Sequence, residues 1–439
     1  MFSAAAPCAV PILQLFFSAR GNDMRFPHLE PWQRTVWATV VAEILALLAF
    51  QAAAILIPYY IQDMGITDMK QVAAWTGAYQ SAGGISFAIF TPIWGALGDR
   101  YGRKLMLMRA MAATCIILFV MGLAQTPTQL MVLRIIQGCV TGTPAAATAL
   151  LATGSPRNRL AYTLGLLQTA LFVGSSLGPM LGGYIGDLYG YRATFFFSSA
   201  TLLVAFALVV TLVREPQESA AVAEHARREH PFTALKSLFQ LPALLPLIVM
   251  SFAINLSYSL VAPVLPIFVQ ELAMGSPRLA SIAGTISGVS ALMAAVSALV
   301  VGRLSDRIGH RRALLGCAAG TTLFYIPQAF ARSTTALGAA LGFQGLFRGG
   351  LSPNVSAMVV DSASKEKAGT ALGLSSSASS IGFAMGPLIG AAILAATSAK
   401  TTYLVTATIF GLITVGVALL SRISPATTAG RETSPNGEG

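Results

Sequence analysis

The sequence predicts an all-α integral membrane protein in which twelve transmembrane helices form two pseudo-symmetric six-helix bundles. Three observations predict it. Of 439 residues, 55% are hydrophobic and only 10% are charged, against about 25% charged in a soluble domain. Twelve apolar runs can be laid along the chain, each near the ~20 residues that cross a bilayer. The second half also repeats the first at an offset of 207–208 residues.

The runs fall near 36–60, 72–97, 105–124, 129–151, 160–186, 193–213, 243–270, 279–301, 313–331, 334–358, 369–397 and 402–421. The 41 glycines and 22 prolines fit this reading, because both are commoner in membrane helices than in soluble ones. The longest polar interruption, Arg214 to Gln240, separates two sets of six. The expected organisation is therefore an N-terminal segment over 1–35, a first bundle over 36–213, a central loop over 214–242, a second bundle over 243–421 and a tail over 422–439. Residues 1–23 are too short an apolar stretch to span and lack the basic start of a signal peptide. They read as a leader, with Met24 as an alternative start.

Orientation follows from the basic residues, which concentrate in cytoplasmic loops. With both termini cytoplasmic, 21 Lys and Arg fall inside and five outside (Lys70, Arg192, Arg278, Arg332 and Lys400), while Arg134 and Arg348 lie within helices. The net charge of +11 is thus a topology signal. It implies anionic lipid headgroups as the polyanion met, not nucleic acid.

Four stretches carry the repeat. Ile57–Asp63 (IPYYIQD) matches Leu265–Glu271 (LPIFVQE), and Gly95–Lys104 (GALGDRYGRK) matches Gly302–Arg312 (GRLSDRIGHRR). Gln137–Gly138 falls on Gln344–Gly345, and Gly174–Gly183 (GSSLGPMLGG) on Gly382–Ala391 (GFAMGPLIGA). Six helices per half make the repeat parallel, with a pseudo-axis along the membrane normal and a substrate path between the halves.

Other chemistries find no support. Cys8, Cys115, Cys139 and Cys317 show no paired spacing and read as reduced small hydrophobes. There is no phosphate-binding loop, the four histidines form no ligand cluster, and no catalytic motif is present. No enzyme activity, metal or cofactor is expected.

In the first repeated turn, Arg100, Arg103 and Lys104 are explained by topology alone, but Asp99 beside the small Gly95 and Gly98 is not. Small residues admit another helix end, whose N-terminal amides an aspartate can accept. With Leu133–Gly138 (LRIIQG) and GSSLGPMLGG, this turn makes the chain resemble the major facilitator superfamily over about residues 30–422, within its twelve-helix drug:proton antiporter branch. The resemblance implies a bacterial inner-membrane transporter and a conformational latch. Asp99 would meet the helix starting near Ala368–Gly369, held by Arg103, and Asp306, beside Gly302, would meet the one starting near Leu160. His310 stands where Arg103 has its counterpart. Asp361 is placed to pair with Arg307 or Arg311, so the two latches are unequal.

The fifth and eleventh runs carry glycine stripes, Gly174, Gly178 and Gly182 with the adjacent Gly183, and Gly382, Gly386 and Gly390. Such stripes let helices approach closely, and Pro179 and Pro387 each remove a backbone donor. Static packing suffices to explain them; the resemblance adds packing between the halves.

Glu43 is the acid set well inside an apolar run, where a charge costs at least ~2.5 kcal/mol and a functional role is the default. Phe50, seven residues on, lies on nearly the same face, so the two can share a cavity wall. The blander reading is an acid near enough to the cytoplasmic interface to be solvated. Related antiporters carry a second acid where this chain has Gln51. Arg134 is either the signature arginine of the fourth helix, acting in proton coupling on groups such as Gln51, or a side chain snorkelling to the nearby interface. Its match in the second half is Leu341. Asn255, Tyr258 and Arg348 complete the cavity candidates.

The expected function is proton-coupled efflux of lipophilic small molecules by alternating access, from a monomer in contact with membrane lipid. A specific exporter of a sugar, amino acid or siderophore is the alternative within the class. A non-transporting membrane sensor is the alternative outside it.

Overall fold

The computed structural model describes residues 30–214, 244–363 and 368–423. The leader, most of the central loop, Lys365 and Lys367, the tail beyond 423 and the side chain of Asp99 lie outside the described residues. Within them all regular structure is helical.

The first half runs α1a (Pro31–Ala54), α1b (Ile57–Asp63), α2 (Met69–Tyr101), α3 (Arg103–Gly122), α4a (Pro127–Val140), α4b (Thr143–Gly154), α5 (Leu160–Tyr189) and α6 (Tyr191–Leu212). The second runs α7a (Leu244–Leu260), α7b (Val264–Leu272), α8 (Leu279–Ile308), α9 (His310–Ala329), α10a (Thr334–Arg348), α10b (Leu351–Ser362), α11 (Ala368–Ala396) and α12 (Ala399–Ile423). Among the described residues, ten spans are long and apolar enough to cross a membrane. The two rods that fall short are α9, which opens on His310-Arg311-Arg312, and helix 10, which is split beside Arg348.

The repeat extends to the helix breaks. Helix 1 breaks at Ile55–Leu56 ahead of Pro58, and helix 7 at Val261–Pro263; in both, a proline has no N–H to continue the ladder. Helix 4 breaks at Thr141–Gly142 and helix 10 at Gly349–Gly350. Gly142 has φ 140°, a conformation that a residue with a Cβ rarely adopts.

The glycine stripes seat α5 and α11 inside their own halves. A Cβ on Gly174, Gly178 or Gly182 would come within 2.3–2.8 Å of α1a atoms, including the carbonyl oxygens of Ile44, Leu48 and Ala52. Gly382, Gly386 and Gly390 meet α7a in the same way at Phe252, Ser259 and Leu260. Packing between the halves uses neighbours of the stripes. A Cβ on Gly183 would lie 2.1 Å from the carbonyl oxygen of Ala280, and one on Gly284 2.1 Å from that of Pro179. Across α2 and α11, Gly77 faces the Pro387 carbonyl, and the Leu388 N–H donates to Ser81 Oγ at 3.0 Å.

These contacts close the face of the bundle distal to the chain termini. There Tyr59 Oη donates to the Pro266 carbonyl at 2.8 Å, and Gln62 and Gln270 exchange two amide hydrogen bonds of 3.0 and 2.8 Å. The Asp187 carboxylate, at the end of α5, accepts the N–H groups of Ala280 (3.2 Å) and Ser281 (2.7 Å) in the first turn of α8. It caps a helix of the opposite half.

Toward the terminal face the halves diverge. A Cβ on Gly95, Gly165, Gly302 or Gly369 would meet nothing within 4 Å. Asp306 is exposed and makes no hydrogen bond or ion pair with the start of α5. Asp361 is also exposed and pairs with neither Arg307 nor Arg311. The expected latch contact of Asp306 is not formed because this conformation is open on the face where it would close. His310 Nδ1 lies 3.3 Å from Asn354 Oδ1 on α10b, much as Arg103 Nη1 donates to the Ala149 carbonyl of α4b at 2.8 Å. Both residues therefore tie helix 3 or 9 to the lower half of helix 4 or 10.

Candidate functional site

Between the halves lies a cavity of about 400 Å³. Its walls come from α1a, α2, α3, both parts of helix 4, α6, α7a and α11, and are mainly apolar, with Leu47, Phe50, Phe87, Leu202 and Phe383. Arg134 is the one charged side chain in the lining.

Arg134 is held by a built cradle. Its Nη1 donates to Gln137 Oε1 at 2.6 Å, and its guanidinium lies 5.0 Å from the Phe50 ring centre and 4.9 Å from that of Tyr79. Gly83 makes room for it, since a Cβ there would stand 2.2 Å from Nε. No carboxylate pairs with it, and Nε is buried without a partner. The arginine does not snorkel; Gln137, one turn on in its own helix, and two ring faces hold it inward. Gln51 is not its partner: its Cβ is packed against Gly178 of α5, and it takes no part in the cavity lining.

Glu43 and Phe50 do not share a cavity wall. Phe50 lines the cavity, whereas Glu43 is 0% exposed. The break at Gly142 swings α4b across helix 1 at this level. Thr143, its first residue, lies beside the Glu43 carboxyl and also lines the cavity. Neither Glu43 oxygen makes a hydrogen bond of good geometry, and the Thr143 side chain is the polar group beside them. A buried, unpaired carboxyl thus sits at the N-terminal end of a half-helix, one side chain away from the cavity.

Asn255 lines this cavity, but Tyr258 and Arg348 do not. The Arg348 guanidinium stacks 4.1 Å over the Tyr258 ring instead. Tyr258 is the repeat counterpart of Phe50, so each half sets an arginine on the matching ring from a different turn of helix 4 or 10.

Three features escape a reading of the sequence. Asp187, at a helix end, reads as solvated. Arg109 reads as a topology charge, yet its guanidinium lies 3.3 Å from the Trp94 ring centre, and that indole donates to the Cys139 carbonyl at 2.6 Å. Thr143 is announced only by the Gly142-Thr143-Pro144 tripeptide.

The profile of the Major Facilitator Superfamily matches residues 39–293 and 247–437. The chain belongs to the major facilitator superfamily. Among curated members of this superfamily it is 33% identical over 386 residues to the multidrug resistance protein MdtG of Rahnella sp. (strain Y9602), covering 87% of this chain and 93% of that protein. It is 34% identical to MdtG of Escherichia coli O1:K1 / APEC over 377 residues, 86% and 91% of the two chains. Among solved superfamily structures it superposes on a bacterial homologue of the human lysosomal transporter Spinster, in an inward-facing and unoccupied conformation, with a TM-score of 0.73, 15% identity and coverage of 90% and 99%. The nucleoside transporter NupG gives a TM-score of 0.70 at 14% identity, with coverage of 88% and 98%. At those identities the likeness is one of fold.

Proposed function

We propose that this superfamily member exports lipophilic small molecules from the cytoplasm in exchange for protons, by rocking of its two halves about the cavity. The observation that carries the proton role is Glu43, fully buried with both oxygens unpaired beside Thr143. An ionised carboxylate left so costs several kcal/mol, so this conformation fits the protonated acid. Release of the proton then requires α4b or α1a to move and water or another partner to reach the carboxyl, which links charge to conformation. Thr143 is the side chain through which that link reaches the cavity.

The apolar walls support a lipophilic substrate, and the names of the MdtG relatives point the same way. The lining offers a cation but no acid, which favours neutral compounds over cationic ones. The distribution of Lys and Arg supports cytoplasmic termini in a bacterial inner membrane. The structure then corresponds to a state closed outward and open inward. Asp99 and Asp306 act in the opposite state, when the terminal face closes. Export by purified protein in proteoliposomes, with and without an imposed pH gradient, tests the reading.

A further inference from the structure

Beside the main cavity lies a second chamber of about 350 Å³, formed by α7a, α10b and α11 of the second half alone. Seven of its ten lining residues are serines, and none is charged. The chamber adjoins the main cavity, because Asn255, Ser379 and Ser380 line both.

Its hydroxyls fall into two sets apart from Ser380, whose Oγ donates to the Ser376 carbonyl at 3.0 Å. Ser251 and Ser375 are buried and bond each other at 2.7 Å. The hydroxyls of the exposed Ser352, Ser356 and Ser376 and of the half-buried Ser379 make no hydrogen bond within the described chain, and these residues line the chamber. Asn255 Nδ2 donates to the Ser251 carbonyl at 2.9 Å, which leaves its Oδ1 unengaged. Each free hydroxyl can donate one bond and accept others.

The repeat shows that this lining is not inherited packing. Ser251 aligns with Glu43, Ser352 and Ser356 with Ala145 and Ala149, and Ser379 with Leu171. Where the first half buries one acid beside Thr143, the second half opens a hydroxyl-lined chamber.

We infer that this chamber is a substrate subsite for an uncharged, hydroxyl-rich group, such as a glycosyl or polyol head. The attached apolar or aromatic body lies in the adjoining cavity against Phe50, Phe87 and Phe383. Serine hydroxyls match the mixed donors and acceptors of a polyol, while an ionic head finds no opposite charge in the chamber. The inference deepens the export reading and rests on it for the direction of transport, but binding at the chamber does not depend on proton coupling.

The test is equilibrium binding of radiolabelled phenyl β-D-glucopyranoside to the full chain in lipid nanodiscs, with no gradient present. Saturable binding is expected, weakened about tenfold by Ser356→Ala with Ser379→Ala, as two lost hydrogen bonds predict. Gly316→Ala, in open space on α9, should leave it unchanged. In a chain carrying only Ser379→Cys, the glycoside should protect that cysteine from a membrane-impermeant thiol reagent, read on its own peptide. Absence of binding, equal binding by the serine variants, or no protection of Cys overturns the subsite. Glycoside binding that persists while gradient-driven export fails in the unaltered protein refutes the export reading and keeps the subsite.

Discussion

Gln62 and Gln270, equivalent residues of the internal repeat, hydrogen-bond each other in both directions at 3.0 and 2.8 Å. Two repeat-related residues can meet in this way only near the pseudo-axis, so the pair marks where the halves close on the distal face. Asp187 adds a charged cap on α8 beside it. Gln62→Ala with Asp187→Asn should weaken this closure by ~1–2 kcal/mol, from one amide pair and one helix-end charge. Distances between spin labels at Lys70 and Met274 should then show a larger population open on that face. An unchanged distance distribution would show that packing alone holds it shut.

The contact at Gly183 is steric where the previous one is polar. A Cβ there meets the backbone of Ala280, which cannot turn aside. Gly183→Ala should therefore disfavour the closed distal face by ~1–3 kcal/mol. Gly316→Ala, in a helix position with open space around it, should be neutral or slightly stabilising. Thermal unfolding in detergent and the same spin-label pair separate the two variants.

Gly142 isolates a backbone effect. Its φ of 140° has no Cβ clash to add, since nothing lies within 4 Å. Gly142→Ala should cost ~1–3 kcal/mol through the dihedral angle alone and lower the unfolding temperature. Because the break places Thr143 beside Glu43, the variant should also reduce gradient-driven export more than binding.

Arg134 is read as a planar cation held by two rings and an amide. Arg134→Ala should reduce export of a neutral aromatic compound about tenfold, the worth of one contact between the substrate ring and the cation. Arg134→Lys should recover only part of the loss, because an ammonium cannot lie flat on Phe50 and Tyr79 while reaching Gln137. Full recovery by lysine would reduce the role to charge alone.

The fold was readable in the sequence because its signals are local or periodic: apolar run length, basic loops and matched motifs such as IPYYIQD and LPIFVQE. The glycine stripes were readable as close-packing surfaces, but not the helix each one meets, since the same spacing serves α1a or α8. Candidates for the site were readable where one residue stood out against its surroundings, as Glu43 and Arg134 do. They were not readable where function comes from convergence. Ser251, Ser356 and Ser379 lie on three helices far apart in sequence, and each alone reads as a serine bonded to its own helix. Gln51 looked like a partner for Arg134 by helix number, yet its face is taken up by Gly178.

In the proposed exchange, Glu43 is the group that couples the proton gradient to export. That role is tested most directly by comparing the unaltered protein with Glu43→Gln in proteoliposomes, following a labelled neutral aromatic compound under an imposed pH gradient. Loss of the gradient-driven component, with gradient-free binding retained, is the predicted result. Gradient-driven export by Glu43→Gln at the unaltered rate would contradict it.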